Sequence, residues 1–185
     1  VGIVKNTKKK FGEYFLKKET EGIYRTKQAI NFNEAKSIGI LFDATVSEDF
    51  ELVKKYIKFL KDHKKRVRSF GFYNAKEIPT MQYSKLEYDF FTRRQVNWHF
   101  KPTDPLIKNF VEEEFDILIN FTVHQCLPLV YIAALSKAKF KIGKHFPNYE
   151  MYYDLLLNVE EGKSLKYFMR NVDVYLNMIN AKEEV

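Results

Sequence analysis

Two kinds of apolar pattern alternate along the chain. Short, nearly continuous apolar runs are separated by longer stretches in which apolar residues recur every three or four positions. "SIGILFDAT" (37–45) is of the first kind and predicts a strand. "SEDFELVKKYIKFLKDHKK" (47–65) is of the second, with Phe50, Val53, Ile57 and Leu60 on one helical face. Ser47 is the expected N-cap, with Glu48 and Asp49 in the first turn and lysines crowding the last, as the helix dipole favours. "RVRSFGFYN" (66–74) predicts a second strand, and a strand–helix–strand unit with short connections implies a right-handed crossover and parallel pairing.

The stretch from Ala75 to Lys101 is less regular, and "YDFFTRRQVNW" (88–98) is expected to hold a third, shorter strand. Asp104 followed by Pro105 starts a short helix, "PLIKNFVEEE". A strand at 115–122, a helix at 127–137 and strands at 139–143 and 153–159 follow. A closing helix over 163–181 places Leu165, Phe168, Val172, Tyr175, Leu176 and Ile179 on one side. Residues 38–42 and 116–121 are almost wholly apolar, which suits strands covered on both faces.

Together these elements predict one doubly wound, three-layer α/β domain of the Rossmann kind over residues 31–185, its sheet mostly parallel in the order 3-2-1-4-5-6. In that order the strands ending at Asp43 and Thr122 are neighbours. Their carboxyl ends flank the switch-point crevice, where ligands of this architecture bind.

Charge adds an N-terminal feature. Residues 1–30 carry Lys5, Lys8, Lys9, Lys10, Lys17, Lys18, Arg25 and Lys27 against three acids, hence +5 of the net +7. This segment reads as a basic arm, helical in part, whose removal should leave a nearly neutral folded body. Val4, Phe11, Tyr14 and Phe15 could form an apolar stripe on it, suited to a membrane surface or a partner protein, although Gly12 and Gly22 punctuate it. The run 88–102 sets Arg93, Arg94 and Lys101 among Phe90, Phe91, Trp98 and Phe100. That mixture suits single-stranded nucleic acid, or else an edge segment whose aromatics pack inward.

No apolar run reaches the roughly 18–20 residues that span a bilayer. The charged N-terminus shows no secretory signal, so a cytoplasmic location is expected. A single cysteine, Cys126, excludes an internal disulfide and a cysteine-based zinc cluster. His63, His99, His124 and His145 lack close ligand spacing, so no metal is expected. The turns after the first and fourth strands, Asp43-Ala44-Thr45 and Thr122-Val123-His124-Gln125, contain no glycine. Neither resembles a dinucleotide or triphosphate loop, and no cofactor is expected. A ligand in the crevice would have to be held by side chains. Asp43, Thr45, Thr122, His124 and Gln125 are the candidates, though Asp43 could instead cap its own turn and His124 be an ordinary loop residue. Cys126 reads as a small packing residue.

"NFNEAKSIGILFDAT", "YSKLEYDFF", "EEEFDILIN", "IAALSKAKFKIGK" and "FMRNVDVYLNMI" together resemble a family of uncharacterised Bacteroidetes cytoplasmic proteins, a domain of unknown function. Locally, Asp116, Leu135, Ala138, Lys139, Ile142 and Gly143 are similar to the acceptor-side half of heptosyltransferase-like glycosyltransferases. That resemblance implies the fold. It does not imply the activity, because the family's Gly-Asp catalytic turn has no counterpart here and its second Rossmann domain has no room. The expectation from sequence is a non-enzymatic domain docking through its basic arm on RNA, a ribonucleoprotein or a protein partner. The alternative is a small-molecule-binding or transferase-like domain that uses the crevice.

Overall fold

The computed structural model describes residues 2–78, 88–160 and 162–179, with side chains from Thr7 onward. The expected roles of Val4 and Lys5, and residues 180–181 of the closing helix, lie outside the described residues. The strands are β1 (Ser37–Asp43), β2 (Arg66–Tyr73), β3 (Asp89–Thr92), β4 (Ile117–Phe121), β5 (Phe140–Lys144) and β6 (Leu155–Leu157). The helices are α1 (Gly2–Thr20), α2 (Ser47–Asp62), α3 (Pro105–Glu112), α4 (Leu127–Leu135) and α5 (Leu165–Met178). All strand pairings are parallel, in the order β3-β2-β1-β4-β5-β6. This is the doubly wound sheet expected from the pattern. Phe42 pairs with Phe121, so Asp43 and Thr122 leave the sheet side by side at its carboxyl edge.

Local chemistry explains most element boundaries. Asp104 accepts a 2.8 Å hydrogen bond from the Leu106 amide and caps α3, with Pro105 at the first helical position. Ser164 caps α5 in the same way. Ser47 is not a cap. Val46 precedes α2 in extended conformation and Ser47 is already helical. The preceding turn is held by Asp43, whose carboxylate accepts from the Thr45 amide at 2.8 Å. The third strand is only four residues long because Thr92 and Gln95 form a reciprocal capping box that turns the chain into a 3-10 turn at Arg93–Gln95.

The sheet is covered on both faces. Ile38, Ile40, Phe42, Ile117, Ile119 and Phe121 meet Phe50, Val53, Ile57 and Leu60 of α2 and Phe168, Val172 and Leu176 of α5. The Tyr56 hydroxyl donates to Asp173 at 2.6 Å and ties these two helices together. On the opposite face Leu41, Phe70, Phe72 and Leu118 meet Ile107 and Phe110 of α3 and Leu129, Ile132 and Ala133 of α4. Each of these large side chains contributes roughly 1.5–3 kcal/mol by leaving water.

Helix α4, "LPLVYIAAL", is buried from Leu127 to Ala134. A helix apolar all round needs cover on both sides. The sheet covers one side, and α1 covers the other. Leu16 of α1 is fully buried among Leu127, Val130, Tyr131 and Ala134, with Tyr149 and Tyr152 beside them. The approach is close at Gly12, where a Cβ would lie 2.7 Å from Leu127 Cδ2 and 2.9 Å from the His99 carbonyl oxygen. Tyr149 donates to Glu13 at 2.8 Å. Phe11 and Phe15 set their rings edge-on against Trp98, at 6.0 and 5.7 Å, rather than forming a free stripe.

The packing continues beyond the helix. Gly22, with φ of +91°, lies just past its end. Arg25 then forms a two-pronged ion pair with Asp154 (2.6 and 2.7 Å) and donates to the carbonyls of Ala138 and Lys139. Ile30 is buried. Residues 7–30 therefore pack on the body where a free basic arm was expected, because the outer side of α4 would otherwise expose a large apolar surface to water. Among the described residues no helix is long and apolar enough to cross a membrane.

Candidate functional site

The carboxyl edge of the sheet opens into a crevice of about 640 Å³. Asp43 at the end of β1, Phe72 and Asn74 around the end of β2, and Arg93 just after β3 line one side. Gln125 and Cys126, where the chain enters α4, line the other. Helix α1 closes the crevice with Lys8 and Lys9. This contribution was not legible in the sequence, because it depends on α1 lying across α4.

The wall at Trp98 and Phe100 is built by a tight turn. The Asn97 side-chain oxygen accepts from the amides of His99 (3.1 Å) and Lys101 (2.9 Å), while Val96 and Pro102 form an isolated antiparallel bridge. Phe100 is held at φ +70°, a left-handed conformation unusual for a bulky side chain. Strained positions of this kind concentrate where a side chain must be aimed. Here the aim is into the crevice, beneath α1.

The cations differ in how far they are already committed. Arg93 Nε donates to Asn74 Oδ1 at 2.6 Å, and no carboxylate among the described residues pairs with its guanidinium. Lys8 is exposed and forms no ion pair among the described residues. Lys9 donates to Gln125 Oε1 at 2.5 Å and lies 3.9 Å from Glu13. Against these stands, among the described residues, one wall carboxylate, Asp43, already engaged by the Thr45 amide. Beside it, burial and then the charge of Asp43 raise the pKa of Asp49, while His124 acts in the opposite direction. Burial raises the pKa of the Cys126 thiol, which disfavours its thiolate at neutral pH.

Of the five crevice candidates, Asp43 and Gln125 line the cavity. The Thr45 hydroxyl oxygen accepts from the Asn74 amide (3.0 Å), and the buried Thr122 hydroxyl donates to Asn120 Oδ1 (3.3 Å). His124 is exposed outside the cavity, near Asp49. The polyanion candidates disperse. Lys8, Lys9 and Arg93 converge on the crevice, and Lys17, Arg25 and Lys27 border a second cavity. Lys10 and Lys18 face solvent, and Arg94 pairs with Glu77 at 2.7 Å. Among the described residues no three His, Cys, Asp or Glu side chains come together as a metal site.

One buried residue escaped the sequence reading. Lys141, within the apolar strand "FKIGK", is 2% exposed. The signal was available: a lysine inside a strand covered on both faces has to be buried.

No curated protein and no solved structure matches the chain. A family model does match residues 8–179, from within α1 to the end of α5, and by that match the chain belongs to the Family of unknown function (DUF6913).

Proposed function

We propose that the chain is a binding protein for a small anionic molecule with a flat apolar portion, held in the switch-point crevice by side chains. One observation carries this reading. Lys8, Lys9 and Arg93, from two distant parts of the sequence, converge on a cavity walled by Phe72, Trp98 and Phe100. Glycine-free turns disfavour close backbone approach to a pyrophosphate, and the three cations supply the charge complement that the turns do not. The reading is of binding rather than chemistry. Asp43 is engaged in its turn, Cys126 is held as a thiol, and no aligned acid supports a sugar-transfer step.

Trp98 is the only tryptophan, so its fluorescence reports on the crevice. Titration with adenosine monophosphate and with the anionic aromatic dye 1-anilinonaphthalene-8-sulfonate should give saturable one-to-one changes. The double substitution Lys8→Gln/Arg93→Gln should weaken them by about tenfold or more, as the loss of charge-assisted hydrogen bonds implies. Unsaturable signals, or equal affinities in the variant, would overturn the assignment.

A second reading, contact with RNA, is supported by the outer side of α1, where Lys10, Lys17 and Lys18 are exposed with Phe11, Tyr14 and the neighbouring Trp98. Cations beside stacking rings suit single-stranded RNA, and such binding weakens steeply with salt. A single-stranded oligonucleotide that binds at low salt, and is lost on Lys10→Gln/Lys17→Gln/Lys18→Gln but not on the crevice substitutions, would favour this reading.

A further inference from the structure

A second cavity, about 490 Å³, opens between the end of α1, the segment that follows it and the far end of α4. Lys141 of β5 forms part of its wall, with Lys17, Glu21, Arg25, Lys27 and Tyr152 around it. Among the described residues no carboxylate pairs with the Lys141 ammonium. Its Nζ donates to the Ala134 carbonyl at 3.1 Å, near the end of α4, and to no other group among the described residues. The carboxylate of Asp154 is engaged by Arg25 and by the Lys141 backbone amide. Burial, then the positive charge of Arg25, and more weakly Lys27, act against Asp154 and bring the amine down to about 7.

A buried lysine beside Arg25 and Lys27, with Asp154 already committed to Arg25, is costlier as an ammonium than as a neutral amine. A structural cap on one carbonyl would not require this arrangement, since a serine or threonine hydroxyl can do the same. What the arrangement does suit is nucleophilic attack, for which the amine must be unprotonated.

We propose that Lys141 is a carbonyl-reactive amine, and that its cavity takes a small aldehyde or ketone carrying a carboxylate or phosphate. In the reaction the Nζ lone pair bonds to the carbonyl carbon and the carbonyl π pair moves to oxygen, which gains a proton as nitrogen releases one. The carbinolamine then loses one molecule of water, made from that hydroxyl and the second nitrogen proton, and leaves an imine. No oxidant, reductant or further reactant is needed. Lys17 and Lys27 outweigh Glu21, the one carboxylate lining the cavity among the described residues, while Arg25 is balanced by Asp154, and this cationic excess would favour an anionic carbonyl compound over a neutral one.

The test uses the full chain with glyoxylate, or with acetaldehyde as the neutral comparator. Imine is trapped by cyanoborohydride at pH 7 and mapped by peptide mass spectrometry. At this pH Lys141 holds far more neutral amine than a lysine with the ordinary value. Even with access restricted by burial, it should label about tenfold or more faster than Lys10 or Lys18. Its preference for glyoxylate over acetaldehyde should fall in Lys17→Gln/Lys27→Gln, and its labelling rate should rise with pH around 7 rather than around 10. Because the wild-type chain is mapped directly, the result does not depend on a Lys141 variant folding. Labelling of Lys141 at or below the rate of the exposed lysines, or with no preference for the anionic aldehyde, would overturn the proposal.

Discussion

The hydroxyl of Tyr131, on the outer side of α4, donates a 2.9 Å hydrogen bond to the carbonyl oxygen of Gly12 in α1. It joins residues 119 positions apart and sets where α1 lies. The position of α1 in turn decides that Lys8 and Lys9 close the crevice and that Lys17 borders the second cavity.

Tyr131→Phe should lower stability by about 1 kcal/mol, the usual net worth of one buried hydrogen bond. Gly12→Val should do more. The added Cβ already meets Leu127 and the His99 carbonyl, and a backbone oxygen cannot yield as a flexible side chain does. The helix-propensity gain on replacing glycine, under about 1 kcal/mol, will not offset that clash. Urea denaturation measures both, and proteolysis within residues 2–20 should quicken in Gly12→Val. A Gly12→Val chain as stable as wild type would show that α1 does not rest on α4.

Removal of residues 1–20 should not leave an independent body. It would uncover Leu127, Val130, Tyr131 and Ala134 together, roughly 1.5–3 kcal/mol for each of the larger side chains, against a typical total of about 5–15. Thermal unfolding should lose cooperativity or shift sharply downward, with dye binding to exposed apolar surface. A truncated chain that unfolds like the full one would restore the view of this segment as a dispensable arm.

Acid should act through Asp116, at the amino end of the sheet. Burial opposes its ionisation, but Lys139 at 2.8 Å and the amides of Lys36 and Ser37 overcome this and hold the carboxyl at about 2. The folded value lies below the ordinary 3.8. Its contribution is therefore present above about pH 4 and is lost as pH falls through 4 toward 2. The amount is about 2 kcal/mol. The stability gap between wild type and Asp116→Asn, by denaturation at stepped pH, should be largest near neutrality and shrink below pH 4. A gap that does not change with pH would remove the charge of Asp116 from the account.

Cys126 should be slow to react. Burial holds it as a thiol well above the ordinary value, so iodoacetamide at pH 8 should alkylate it far more slowly than free cysteine and speed up on unfolding in urea. Modification at the rate of free cysteine in the native chain would show an accessible thiolate.

The elements and their class were legible in the sequence because they depend on spacing within a few residues. Phe50, Val53, Ile57 and Leu60 define a face whatever they pack against, and the run at 38–42 is apolar whether or not its neighbours are known. Asp104-Pro105 announces a helix start for the same local reason. Even the burial of α4 was written in "LPLVYIAAL", which is apolar on every side. What covers that helix was not written there. The basic residues of α1 drew attention to charge, whereas its contribution to the fold rests on Gly12 and Leu16, two residues with no periodic signal of their own. Only the tertiary structure brings Lys8 to Arg93 across 85 positions, and only burial beneath residues 17–27 makes Lys141 unlike the other lysines. Charge and reactivity depend on what surrounds a side chain in space, and local sequence specifies the side chain but not those surroundings.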